Sequence, residues 1–175
     1  MRILKIIVDI LLFLDTALLT SIDYFGSFWH EVLGISMAIL IIIHLILNGK
    51  WIINVTKSLK KVNTKTKIQY FIDVLTMIIF FGAIICGIMI SRDIFKLPTR
   101  SNAQIIITHL IFGRLALIIM LIHLGLHLDR IFAKVKSKKI RILIYIIYIL
   151  ISIILSIWSI YTLTHSFQWM MVFGM

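Results

Sequence analysis

Four histidines of the chain form two pairs with the same internal spacing. His30 and His44 are separated by 14 residues, and His109 and His123 repeat that separation 79 residues later. Fourteen residues of α-helix rise about 21 Å and complete almost four turns, so both histidines of a pair lie on one side of their helix. Neutral imidazole is a common ligand of iron, zinc and copper. The spacing therefore predicts two metal-binding levels, one towards each end of a pair of helices.

Both pairs lie in apolar segments long enough to cross a membrane, and the two segments are expected to run in the same direction. His30 would then face His109 and His44 would face His123, which is the arrangement of two imidazoles that fill both axial positions of a haem iron. No C-x-x-C-H motif occurs, which excludes covalent attachment. We therefore expect two haem b groups. Zinc or copper is the main alternative, and packing between helices would be the simplest role for any single histidine.

A glycine follows the first histidine of each pair by one helical turn, as Gly34 and Gly113. A glycine at this position would let a flat macrocycle approach the helix backbone, where a larger side chain would block it. Close packing of two helices through small residues is the alternative, because this packing is common in membranes.

His127 also has the helical phase of a ligand, because it follows His109 by 18 residues, or five turns. The repeat, however, aligns His127 with Asn48 and His123 with His44, so we predict His123 as the ligand. His127 is then expected near a haem propionate, a proton path or a quinone site.

Three further ionisable residues are candidates for supporting roles, since charged groups at membrane depth are costly. Arg114 is near the middle of its segment and is expected to pair with Asp15 or with a haem propionate. Asp9 and Asp73 are expected at the depth of His44 and His123, where each carboxylate could accept a hydrogen bond from a ligand ring. Stabilisation of a helix N-terminus by negative charge is the alternative role for both.

The composition is that of an all-α, polytopic membrane protein. The chain is 61% hydrophobic with a mean hydropathy of +1.10, and its five apolar runs lack the alternation of a membrane barrel. The predicted helices span about residues 3–24, 28–53, 68–90, 103–128 and 140–163. The net charge of +11 does not indicate nucleic acid binding, because 12 of the 18 basic residues lie in two short stretches, 50–67 and 130–141. Such stretches are typical of loops that remain in the cytoplasm.

The repeat predicts how the chain is organised. Residues 1–130 are expected to form a four-helix, two-haem bundle in which helices 1–2 and 3–4 are the two copies. Residues 131–175 would add a basic cytoplasmic loop, a fifth transmembrane helix and an outer tail. The basic loops place the N-terminus in the cytoplasm and the C-terminus outside.

The sequence resembles the flavinylation-associated cytochrome family over roughly residues 5–130. The matching motifs are His30-Glu31-x2-Gly34, His44-Leu45-x-Leu47-Asn48-x2-Trp51, Asp73 with Gly87-x3-Ser91-Arg92, and His123-Leu124-Gly125-Leu126-His127. The chain is also broadly similar to the two-haem bundle of respiratory cytochrome b. The resemblance implies a bacterial cytoplasmic-membrane cytochrome that passes electrons outward to flavin-bearing extracytoplasmic proteins. Members of the family often have adjacent histidines where this chain has Thr108-His109 and an aromatic residue where it has Leu128.

We therefore expect an electron carrier or oxidoreductase subunit. Its donor would be quinol or another donor at the cytoplasmic side, and its acceptor an extracytoplasmic flavoprotein or other redox protein. The alternatives are a quinol-oxidising anchor subunit of a larger dehydrogenase, a haem or divalent-metal transporter, and a scaffold without a cofactor. A complete dehydrogenase is excluded, because no segment could form a nicotinamide- or flavin-binding domain.

Overall fold

The computed structural model describes residues 2–20, 22–131 and 136–173, and every regular element in these ranges is helical. Part of the predicted basic loop (132–135) and the last two residues lie outside the described ranges. The elements are α1 (Arg2–Leu19), α2 (Ile22–Ser58), α3 (Thr64–Ile90), a 3-10 turn (Pro98–Ser101), α4 (Ala103–Ile131) and α5 (Lys138–Phe173). The predicted all-α class is thereby confirmed.

Four of the described helices, α2 to α5, are long and apolar enough to cross a membrane. The remaining helix, α1, has 18 residues and carries Arg2, Lys5, Asp9 and Asp15. It ends at Leu19, five residues before the predicted end, and its length of about 27 Å is slightly less than the apolar thickness of a bilayer. The chain is thus a multi-span helical protein with one short, more polar helix.

The ends of the helices follow from local chemistry. Asn63 caps α3, and its side chain accepts a hydrogen bond from the Thr66 amide at 2.9 Å. Asn102 does the same before α4, accepting from the Gln104 amide at 3.0 Å. The gap between the first two predicted helices, 25–27, corresponds to a break inside α2, where Gly26 has φ 75° and ψ 169°. Glycine reaches this backbone conformation without the steric cost that a Cβ would add.

The first four helices form a ring in the order α1, α2, α3 and α4, which closes through a smaller contact between α4 and α1. The fifth helix packs on α4 alone among the described elements. As a result, α2 and α4 are diagonal to each other, and no Cα atoms of their described residues come within 8 Å. Side chains that point inward from these two helices therefore meet across the centre of the bundle.

The buried apolar core lies between the two histidine levels. Met37 is midway between His30 and His44 and is 1% exposed. Its repeat counterpart is Ala116, and Leu117 beside it is 2% exposed. These residues belong to one cluster with Ile79, Phe80, Ile119, Met120 and Leu121. An apolar layer consequently separates the two ends of the bundle.

Candidate functional site: two facing histidine pairs

The four predicted ligands meet in the pairs that the repeat predicts. The ring centres of His30 and His109 are 5.9 Å apart, and those of His44 and His123 are 6.4 Å apart. We call the His44–His123 pair the basic-end level, because it lies towards Lys5 and Lys57–Lys67, and the His30–His109 pair the opposite level. Each level joins one residue of α2 to one of α4.

These separations fit two imidazoles that share one metal ion. A metal–nitrogen bond of about 2 Å on each side, with roughly 1 Å from each nitrogen to its ring centre, places the two ring centres about 6 Å apart. The rings are steeply inclined to each other, at 89° and 67°, so neither pair is stacked. The donor set and its spacing therefore suit an iron that is held from both sides by histidine.

At the basic-end level, a carboxylate orients each ring. Nδ1 of His44 donates to Asp9 at 2.8 Å, and Nδ1 of His123 donates to Asp73 at the same distance. A histidine that donates from Nδ1 has its lone pair on Nε2, and the carboxylate increases the basicity of the ring. In His44 the side-chain amide of Asn48 lies 3.4 Å from Nε2, so Asn48 would have to move for this nitrogen to bind a metal. The hydrogen bonds expected of Asp9 and Asp73 are thus present. The side chain of Asp9 is 43% exposed and that of Asp73 is 19% exposed.

At the opposite level, the available partners are backbone carbonyls. Nδ1 of His109 donates to the Ala83 carbonyl at 2.9 Å. The Leu19 carbonyl lies beside His30 as the Ala83 carbonyl lies beside His109, but its geometry does not meet that of a hydrogen bond. Nδ1 of His30 is therefore buried without a hydrogen-bond partner among the described residues. Gly87 lets the His109 ring pack closely, because a Cβ there would lie 3.0 Å from a ring carbon.

The two repeated glycines are not used for packing within the described part of the chain. A Cβ added to Gly34 or Gly113 would meet no atom within 4 Å, whereas one added to Gly82 would lie 2.9 Å from Phe112. Both glycines are only one turn away from a histidine of the opposite level and on nearly the same helical face. They leave room for a flat group beside the helix backbone, which fits the predicted macrocycle.

His127 shares the carboxylate of Asp73 with His123. Its Nε2 lies 2.9 Å from Asp73 Oδ1, its ring centre is 4.7 Å from that of His123, and its Nδ1 is buried without a partner among the described residues. It also makes an edge contact with Trp51. Asp73, His123 and His127 could together hold a metal ion, since their ligand atoms lie within 4.8 Å of one another.

Arg114 does not hydrogen-bond to Asp15. Its guanidinium donates to the Thr20 carbonyl at 3.3 Å and lies 5.8 Å from the ring centre of Trp158. Both oxygens of Asp15 are buried without a hydrogen-bond partner that meets normal geometry among the described residues, although the Ser36 side chain is close enough to affect the carboxylate. Asp15, one of the two predicted partners of Arg114, is therefore not hydrogen-bonded to it, and a haem propionate as its partner stays a prediction.

Glu31 has a structural role that the sequence did not reveal. Its carboxylate accepts hydrogen bonds from the Ser91 hydroxyl at 2.7 Å and from the backbone amides of Arg92 at 2.6 Å and Ile94 at 2.8 Å. The Asp93 amide is also within 3.1 Å. Glu31 therefore attaches the loop between α3 and α4 to α2, directly beside His30.

Comparison of the chain with protein-family models, curated proteins and solved structures finds no match. The resemblance noted above therefore stands on its motifs alone. Three of those motifs coincide with contacts of this site: His30-Glu31 with Ser91-Arg92, Asp73 with His123 and His127, and Gly87 with His109.

Sequence reasoning missed the two backbone carbonyls, because a carbonyl has no residue-specific signature. One signal was present, however. Asp9 and Asp73 are 64 residues apart, and the same offset aligns Leu19 with Ala83. Extending the repeat through the whole of the first and third helices would have predicted these positions.

Proposed function

We propose that this protein is a membrane b-type cytochrome that carries electrons through two haems. Support comes from the histidines of the diagonal helices α2 and α4, which face each other at two levels with ring centres about 6 Å apart. Because these two helices are diagonal in the ring, with no described Cα atoms within 8 Å of each other, only side chains that point inward can meet between them, and at both levels those side chains are histidines. This spacing across the bundle is the observation that carries the proposal.

His30 and His109 would hold one haem, and His44 and His123 the other. Haem iron supplies reversible one-electron chemistry, and two histidine ligands leave no open position for oxygen. The chain itself keeps the rings in place: Asp9, Asp73 and the Ala83 carbonyl fix three of the four imidazoles through Nδ1. The buried apolar cluster that contains Met37 lies between the two levels.

The proposed orientation places the lysine-rich end of the bundle in the cytoplasm of a bacterium, by the positive-inside rule. Electrons would enter there, from quinol or a cytoplasmic-side donor, and leave at the opposite level to an extracytoplasmic acceptor. A flavin-bearing protein is the acceptor that the family resemblance suggests. In this proposal the chain is an electron carrier or a subunit of an oxidoreductase.

The basic test is the difference spectrum of the purified protein, reduced by dithionite minus oxidised, with haem quantified per chain. Sharp bands of low-spin haem b at two haems per chain are expected. A colourless protein that cannot be reconstituted with haem would refute the proposal.

A pair of glycine variants tests the site more closely. Gly113→Leu places a large side chain in the open space beside His109, so we expect it to lose the haem of that level while the protein remains folded. Gly49→Leu is the matched control, because a Cβ there also meets nothing within 4 Å, but Gly49 follows His44 by five residues and so lies on a different face of α2 from the histidines. Equal haem contents for the two variants would contradict the proposal that the open space beside Gly113 holds the haem.

A divalent metal ion is the second candidate, and the Asp73–His123–His127 cluster favours it. The two proposals use different atoms of the same ring, since a metal ion in the cluster would take Nδ1 of His123 whereas haem would take Nε2. Addition of zinc to the haem-loaded protein separates them. Metal binding at this cluster predicts stoichiometric zinc uptake that is lost in His127→Asn.

A further inference from the structure

The two histidine levels differ in the charge and hydrogen bonding around their ligands. At the basic-end level, both rings donate to carboxylates, Asp9 and Asp73. At the opposite level, one ring donates to a neutral carbonyl and the other has no hydrogen-bond partner among the described residues. The same ligand type is therefore placed in two unlike environments.

Charged residues also lie near the ligands of both levels without bonding to their rings. The Arg114 guanidinium lies close enough to act electrostatically on His30. Glu31 acts on His30 with the opposite sign and more strongly than Arg114, although its carboxylate is not bonded to the ring and accepts hydrogen bonds from the Ser91 hydroxyl and the backbone amides of residues 92–94. At the basic-end level, Lys5 offsets part of the negative charge, but it donates to Asn48 at 3.0 Å and not to either histidine.

The effect on a bound iron follows from elementary electrostatics. A carboxylate that accepts the Nδ1–H hydrogen makes the imidazole a stronger donor, and its negative charge stabilises the more positive ferric state. A nearby guanidinium has the opposite effect, because it destabilises the ferric state. Both influences are strengthened by the low dielectric of the bundle interior.

We infer that Asp9 and Asp73 on one side and Arg114 on the other set a difference in reduction potential between the two levels, with the lower potential at the basic end. This inference rests on the proposed function. If haem is bound at both levels, one electron would pass from a reduced iron held by His44 and His123, which would be oxidised, to an oxidised iron held by His30 and His109, which would be reduced, and no bond would form or break. The residues around the histidines therefore favour transfer away from the lysine-rich end.

The test is equilibrium reduction of the haem-loaded, purified protein over a series of ambient potentials, followed by absorbance. The wild type should show two separate one-electron waves. Asp73→Asn keeps the size of the side chain and removes its charge, so it should move the lower wave upward and leave the upper wave in place. The expected change is at least tenfold in the ratio of reduced to oxidised haem, which corresponds to about 59 mV for one electron.

Arg114→Gln should move the upper wave downward, and Asp129→Asn is the matched control. Asp129 is on the same helix as His123 and towards the same end, but its carboxylate pairs with Lys65 at 2.6 Å and contacts no histidine of either level. We expect Asp129→Asn to move neither wave.

The outcomes separate this inference from the proposed function. Absence of bound haem would refute the proposed function itself. Two haems with coincident waves, or an upper wave that responds to Asp73→Asn, would overturn the inference and leave the cytochrome proposal intact. If one of the two variants loses haem, the shift of the wave in the other variant still tests the inference, since Asp73→Asn and Arg114→Gln act at different levels and in opposite directions.

Discussion

The two copies of the repeat, α1–α2 and α3–α4, build the same arrangement with different surroundings. Each supplies one histidine to each level, and each orients its basic-end histidine with an aspartate from the preceding helix. The copies differ where Asn48 in the first corresponds to His127 in the second, and where Glu31 corresponds to Leu110. The aspartates that both copies share thus orient the paired histidines. Glu31 and His127, which occur in one copy each, contact other groups: Glu31 the loop after α3, and His127 the carboxylate of Asp73.

Removal of one ligand is expected to have the largest effect, and it tests whether the copies cooperate. His44→Ala in the first copy and His123→Ala in the second should each reduce the haem content from two to one, and both should lose the same haem. The absorbance spectrum and the potential of the remaining haem should then be the same in the two variants. Loss of different haems would show that each copy binds its own haem.

The aspartates should differ in their contribution to stability. Asp73→Ala leaves two half-buried histidine N–H groups without an acceptor, at a cost of about 1–3 kcal/mol each, whereas Asp9→Ala affects one histidine beside a more exposed carboxylate. We expect the free energy of unfolding, measured in mixed micelles, to fall by about 2–6 kcal/mol for Asp73→Ala and by about 1 kcal/mol for Asp9→Ala. Equal losses would show that the His127 bond contributes nothing.

Glu31 belongs to one copy only, and its removal should affect the connecting loop. Glu31→Ala deprives the Ser91 hydroxyl and the amides of residues 92–94 of their acceptor, so the loop should open more often. A loss of about 1.4 kcal/mol would make tryptic cleavage after Arg92 or Lys96 about tenfold faster. Ser27→Ala, which removes only the exposed bond to Asp93, is the control and should change the rate little.

The smallest effect is expected when the second copy is made more like the first. His127→Asn should retain both haems with nearly unchanged spectra, because the repeat assigns His123 as the ligand. A loss of one haem in this variant, with His123→Ala retaining both, would instead identify His127 as the ligand.

Much of this arrangement was predictable because it depends on periodicity. The spacing of 14 residues in each pair, the offset of 79 residues between pairs and the apolar segments predicted two parallel helices with facing histidines. The paired rings and the bonds from Asp9 and Asp73 agree with that expectation. The predicted end of the first helix is too late, since Ile22, Tyr24 and Phe25 prolong the hydrophobic pattern beyond Leu19 although polar residues lie between them.

The partners of Arg114 and Glu31 were not predictable in the same way. The sequence predicts that Arg114 and Asp15 lie at similar depths in the membrane. Depth along a helix, however, does not determine the direction in which a side chain points around it. Glu31 contacts a loop 60 residues away in the sequence, and three of its donors are backbone amides that any residue could supply.

The sequence by itself determined the helical class, the order of the segments and the depth of each histidine, because these depend on hydropathy and on the fixed rise of an α-helix. Only the tertiary structure decided that α2 and α4 are diagonal and that the two levels have unlike hydrogen-bond partners. These features depend on how the helices are rotated and packed against one another, and a one-dimensional pattern carries no direct record of contacts between distant segments.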